Sequence, residues 1–151
     1  MQFKDDKLFV DWTDIDAFCL EMAHEGSRLG IEKVIGVSRG GLIPGVIISH
    51  LMGVPFDSIT WQTRDGDKRD TKKVLNFNNP KYMIVDDMVD SGSTMIDLMS
   101  LAPDAVKAVI FNKKEDVLLD IVGQELYNVS EWVVFPWERI DSKTKQDYLD
   151  N

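Results

Sequence analysis

Cysteine is almost missing from this chain: Cys19 is alone among 151 residues. One thiol makes no intramolecular disulfide and indicates no cysteine-built zinc site. It stands in an apolar-periodic stretch, where a thiol behaves as a small hydrophobe rather than a nucleophile. Histidine is nearly as scarce. His24 and His50 lie far apart in helix-like segments, too few for a closed structural metal site, and neither reads as catalytic. Basic charge is in deficit: 17 Lys and Arg face 26 Asp and Glu, for a net charge of −9. That argues against a sequence-independent nucleic-acid binder, which needs a basic face, but not against a local site for a small anion. No apolar run reaches the roughly 18 residues of a membrane span. The opening "MQFKDDKLFV" has no signal-peptide pattern, so the expected location is cytoplasmic.

What is present suits one domain with a real core, 1–151, with 44% hydrophobic and 28% charged residues. A short strand is expected at Leu8–Val10. Thr13, with Asp16 three residues on, then offers an N-cap for a helix ending near Gly30. Lys33–Val37 reads as a buried strand, Ser38–Gly41 as a turn, and Leu42–Met52 as a helix stopped by Gly53. Pro55–Trp61 reads as a strand. Residues 62–73, "QTRDGDKRDTKK", read as a mobile loop, since long loops in compact domains are usually functional or disordered. "VLNF" reads as a short returning strand. The apolar run Met83–Val85, a helix at Ser93–Leu101 and a strand at Ala105–Phe111 follow. Alternating strands and helices predict a parallel twisted sheet flanked by helices, an α/β fold. Ligands in such sheets bind at the carboxyl ends of the strands. Two unusual turns fall there.

The first is "DDMVDSGST", Asp86–Thr94. A strand, a glycine turn and a helix opening with hydroxyl residues can hold a phosphate. N–H groups at a helix start lack intrahelical partners, the dipole favours an anion, and hydroxyls donate more bonds. Taken alone, "SGST" favours a plain N-cap before an ordinary helix over a phosphate site. Asp86 and Asp87 fit a solvated loop start, acceptors for a sugar diol, or ligands for a divalent ion that takes its other oxygens from phosphate and water. The second turn is "SRGG", Ser38–Gly41. Two glycines can expose N–H groups as an anion nest, and Arg39 adds a fork for phosphate oxygens. From the residues alone, a plain strand–helix turn with a surface arginine is on a par with that reading.

"MIVDDMVDSGSTM" resembles the phosphoribosyl pyrophosphate signature of type I phosphoribosyltransferases: an apolar run, two acids, two apolar residues, Asp, Thr or Ser, Gly, any residue, Thr. Ser91 stands for the commoner Thr. "VIGVSRGGLIPGVIISHLMGVPF" is similar to the pyrophosphate-loop segment of that family. "LFVDWTDID" and "SEWVVFPWE" are similar to the opening and the purine segment of its bacterial purine-using members, so the likeness covers most of the chain.

The resemblance implies a parallel sheet with a small hood built from the N- and C-terminal segments, residues 126–151 supplying the purine side. It implies transfer of phosphoribose from phosphoribosyl pyrophosphate to N9 of a 6-oxopurine (xanthine, guanine or hypoxanthine), with Mg²⁺. Asp86 and Asp87 would hold the ribose hydroxyls, directly or through Mg²⁺. Asp90 would sit near purine N7 and handle its proton. Ser91, Gly92, Ser93 and Thr94 would cradle the 5′-phosphate. Ser38, Arg39 and Gly40 would hold pyrophosphate, with a non-proline cis peptide at Arg39–Gly40. Lys113 would donate to the 6-oxo group, a role its neighbour Lys114 could also fill. Trp132 would stack on the base, the Val133 backbone would read the ring edge, and Trp137 would be structural. The 62–73 loop lacks the Ser-Tyr pair of many purine members, which leaves Arg69 as the nearest candidate to meet pyrophosphate. A homodimer or homotetramer is expected. The competing class is a non-catalytic regulator sensing phosphoribosyl pyrophosphate or nucleotide. Acidic charge and retention of Lys113 and Trp132 favour the enzyme, and a lysine donor disfavours adenine as acceptor.

Overall fold

The structure is a computed structural model and describes residues 1–62 and 68–138. Five parallel strands form the central sheet: β3 (Lys33–Ser38), β4 (Phe56–Thr60), β5 (Tyr82–Val89), β6 (Val106–Asn112) and β7 (Ile121–Glu125), in the order β4-β3-β5-β6-β7. Alternate residues of the central strands point to opposite faces, and both faces are covered. Val34, Met83, Val85 and Ala108 join one cluster with Ile15, Cys19 and Met22 of α1 (Trp12–Arg28) and Ile48 of α2 (Leu42–Met52). Ile35, Ile84 and Val109 join the other with Val74 of α3 (Thr71–Asn76) and Met95 and Leu98 of α4 (Ser93–Leu101). Burial on two faces explains why these strands read as continuous apolar runs rather than alternating ones.

From β3 the chain passes outward to β4, then returns to lay β5 on the other side of β3. The carboxyl ends of β3 and β5 therefore flank the point where the strand order reverses, the ordinary place for a ligand in such a sheet. A second, three-stranded sheet, β1 (Gln2–Lys4), β2 (Lys7–Phe9) and β8 (Trp132–Val134), joins the two ends of the chain. Leu8, Val133 and Phe135 bury into the α1-side cluster, so this hood shares the core. Among the described residues no helix is long and apolar enough to cross a membrane.

Several expectations shift. The helix cap is Asp11, whose carboxylate accepts from Asp14 N at 2.8 Å while Asp14 accepts from Asp11 N at 3.0 Å. Thr13 and Asp16 have the same spacing. Val10 N still donates to Val134 O in the hood, so the helix opens at the next residue and Asp11 becomes the cap. "VLNF" is not a strand: Val74–Asn76 complete α3 and Phe77 closes it, because Val74 and Phe77, buried three residues apart in the same cluster, suit a helical turn. Helix α3 also takes 71–73 out of the expected loop, whose residues 63–67 lie outside those described. Strand β5 runs on through both acids to Val89. The expected cis peptide is one bond earlier, at Ser38–Arg39. Strands β1 and β7 had no counterpart in the reading of the sequence. Nothing is described for 139–151 of the expected hood segment.

Candidate active site

The two turns picked out by composition meet. A Cβ placed on Gly40 would land on the carboxylate of Asp87, and one on Gly41 would stand 2.7 Å from Val37 O and 2.9 Å from Asp86 Cα. "SRGG" is thus seated directly on the acid pair, and glycine at both positions is what lets it approach. Gly41 N donates to Val37 O at 2.9 Å and Leu42 N to Arg39 O at 3.1 Å, which closes the turn into α2. Ser38 and Gly40 are half-buried and Arg39 is exposed.

Each acid folds back on the next peptide: Asp86 Oδ1 accepts from Asp87 N at 2.8 Å, and Asp87 Oδ1 from Met88 N at 2.7 Å. Asp86 is half-buried, whereas Asp87 is only 6% exposed beneath Gly40. Asp90 is exposed just past the strand. No group of three His, Cys, Asp or Glu side chains forms a metal cage among the described residues. A pair of hard carboxylate oxygens with no cage around it fits Mg²⁺, which binds through one or two carboxylates plus substrate phosphates and water.

Beyond Asp90 the chain turns at Gly92, whose φ of +88° is left-handed and favours glycine, and α4 begins with no side-chain cap. Ser91 Oγ lies 3.1 Å from Ser93 Oγ and accepts weakly from Ser93 N at 3.4 Å. Ser91 and Ser93 are exposed and Thr94 half-buried, so hydroxyls surround a helix start whose first N–H groups lack intrahelical partners.

The third side comes from β6 and the hood. Lys113 N donates to Val89 O at 2.9 Å, fixing Lys113 beside the residue that precedes Asp90. Its ammonium reaches across to Glu131 O at 2.7 Å. Strand β8 is an edge strand whose Trp132 N donates to Asp6 O and whose Val134 O accepts from Val10 N. Backbone groups alternate along a strand, so the N–H and C=O of Val133 face the open edge. A trans peptide points C=O opposite to N–H, so Glu131 O faces that edge too. The Lys113 ammonium therefore stands at the open edge beside the Val133 backbone. Trp132 is half-buried, and its Nε1 is buried without a partner among the described residues. Trp137 stacks on Phe135, centroids 4.7 Å apart and planes 6° from parallel, which is a packing role.

Arg69 bridges Trp61 in antiparallel pairing, with its guanidinium 5.8 Å from the Trp61 ring. Trp61 Nε1 donates to Asp97 Oδ2 on α4 at 3.1 Å, so the base of that loop leans on the helix that starts at Gly92. Asp97 and Asn112 were passed over in the sequence. Asn112 is 1% exposed; Lys114 N donates to its Oδ1 at 2.9 Å and its Nδ2 donates to Val117 O at 3.0 Å. The available signal was a polar residue closing the apolar run Ala108–Phe111.

A model of the phosphoribosyl transferase domain matches residues 19–137. The xanthine-guanine phosphoribosyltransferase of Vibrio parahaemolyticus serotype O3:K6 is 29% identical over 143 residues, 87% of this chain and 89% of that protein. That of Chromohalobacter salexigens is 24% identical over 135 residues, 85% of this chain and 82% of its own. Among solved structures, a purine phosphoribosyltransferase from Pyrococcus horikoshii superposes with a TM-score of 0.74 at 25% identity, covering 93% of this chain and all of that one. The five-stranded parallel sheet, the paired turns at its reversal point and a family match over most of the length agree: this chain belongs to the phosphoribosyltransferase family.

Proposed function

We propose that this protein transfers the phosphoribosyl group of phosphoribosyl pyrophosphate to N9 of a 6-oxopurine, releasing pyrophosphate and a nucleoside 5′-monophosphate. One observation carries the reading. The turn that suits pyrophosphate lies on the acid pair that suits ribose, and the Lys113 ammonium stands at the open edge of β8. A sugar that bears phosphate at one end and receives a base at the other fits that sequence of groups. The relatives named for xanthine and guanine support the choice of base.

The 5′-phosphate sits on the first N–H groups of α4 among Ser91, Ser93 and Thr94, with Gly92 allowing close approach. Asp86 and Asp87 accept from the ribose hydroxyls. Arg39 and the N–H groups of "SRGG" receive the leaving pyrophosphate, stabilising negative charge as the anomeric C–O bond breaks with oxocarbenium character. Asp86 and Asp87 would hold a Mg²⁺ ion, which would supply further charge neutralisation for the leaving group. Trp132 stacks on the purine. Lys113 donates to its 6-oxo oxygen while the Val133 backbone meets the ring edge, which orients N9 toward the anomeric carbon. Asp90 accepts a proton at N7 and so makes N9 the nucleophile.

The test is incubation with phosphoribosyl pyrophosphate, Mg²⁺ and xanthine, guanine or hypoxanthine in turn, with nucleotide measured chromatographically. Product is expected with at least one of the three. No product with any of them, beside measurable binding of phosphoribosyl pyrophosphate, overturns the reaction.

A further inference from the structure

Asn112 closes β6 with every polar group of its side chain engaged inside the protein. Its Oδ1 takes the N–H of Lys114, its Nδ2 gives to the carbonyl of Val117, and its own carbonyl receives Leu126 N at 2.8 Å. Val117 N donates back to Lys114 O at 3.0 Å, so residues 113–117 form a closed turn held at both ends by one carboxamide. The two ends do different work. The first carries Lys113, whose backbone is pinned between Val89 O and the Asn112–Lys114 bond and whose ammonium reaches Glu131 O. The second carries Val117, 6% exposed, whose Cγ2 lies 3.0 Å from where a Cβ on Gly92 would stand. Val117 is therefore the wall behind the left-handed residue that opens α4.

We infer that Asn112 is a positioning residue for both substrates, one carboxamide setting the lysine that meets the base and the valine that backs the phosphate turn. The inference rests on the purine reading of the site for its first half only; the second concerns the phosphoribosyl donor whatever the acceptor. A buried carboxamide suits the task because it presents a donor and an acceptor together, and no apolar or singly functional side chain of its size replaces both.

Two substitutions separate the halves. Asn112→Asp keeps an acceptor for Lys114 N but sets an acceptor against the Val117 carbonyl; Asn112→Ala removes both bonds. Donor affinity is read by calorimetry with phosphoribosyl pyrophosphate and Mg²⁺ in the absence of base, and purine KM by turnover, each on protein shown to be folded by circular dichroism. Asn112→Asp should weaken donor binding roughly tenfold and leave purine KM within about threefold, while Asn112→Ala should raise both by roughly tenfold. Val117→Ala, which leaves the carboxamide untouched, should weaken the donor by about threefold and spare the purine. It decides the donor half should Asn112→Asp fail to fold. Wild-type donor affinity in Asn112→Asp or in Val117→Ala, or equal effects of Asn112→Asp on both substrates, overturns the inference. Absence of turnover in the wild type bears on the proposed reaction alone, because donor affinity is still measured.

Discussion

Replacing Gly40 by alanine would put a methyl group onto the Asp87 carboxylate. The backbone there is not left-handed, so the substitution brings no φ strain; what it brings is volume where there is none. Asp87 has little room to yield, being 6% exposed and tied to Met88 N at 2.7 Å. Either its carboxylate turns away or the "SRGG" turn lifts off β5. Overpacking of this kind costs about 1–3 kcal/mol. If the turn lifts, that cost appears in binding of phosphoribosyl pyrophosphate, as roughly a 5- to 150-fold rise in Kd. Calorimetry with the donor and Mg²⁺ measures it, and a thermal melt records how much is absorbed by folding instead. Gly30→Ala is the control. Gly30 also becomes alanine, but in open space with φ +73°, so its cost is about 1 kcal/mol of stability with no change in donor affinity. Wild-type donor affinity and melting in Gly40→Ala would refute the claim that the two turns are in contact.

Asp90→Asn is expected to lower kcat by about 100-fold or more while changing donor Kd little, since a proton acceptor is lost and a neutral isostere kept; equal turnover in mutant and wild type removes Asp90 from proton transfer. Trp132→Ala should raise purine KM by roughly tenfold and leave donor KM alone, so an unchanged purine KM in steady-state assays counts against stacking. Burial pushes the Cys19 thiol up to about 12, with Asp16 adding to the shift. The folded state then holds this proton more tightly than the unfolded one, so its contribution to stability is complete below pH 9.0 and is lost as pH rises toward about 12. Native protein should not react with a thiol reagent at pH 8 and denatured protein should react once; fast labelling of the native form would contradict the buried placement.

The parts of the fold legible in the sequence are those where one local signal was enough. "KVIGV" and "MIV" are apolar on both faces because both are covered, and Gly53 (φ +68°) stops α2 as its composition says. What escaped notice depends on distant chain. Strand β1 is three exposed residues with no apolar face, and its turn uses Asp5 and Asp6, both left-handed, where asparagine or glycine is the usual sign. Strand β7 carries a glycine and ends in two exposed residues at the sheet edge. The choice of Asp11 over Thr13 as cap depends on where Val134 holds Val10. In the site, the signature pointed to the residues proposed for phosphate and ribose. The seating of Gly40 on Asp87, the open edge of Val133 and the closed turn at Asn112 depend on packing and on which backbone groups a neighbouring strand has already taken, and these are not written locally.

The hood pairs Lys7 with Trp132, Leu8 with Val133 and Phe9 with Val134, in parallel. Those partners are separated by nearly the whole chain, and so distant a pairing forms slowly because loop closure must precede any reward. During synthesis, β2 leaves the ribosome long before β8 exists and presents a bare strand edge meanwhile, a hazard for sticking to other chains. The turns proposed for the donor, at the ends of β3 and β5, are made earlier in the chain. Under the proposed reading, the strand that would meet the base is therefore paired only after the turns that would hold the sugar phosphate have been made.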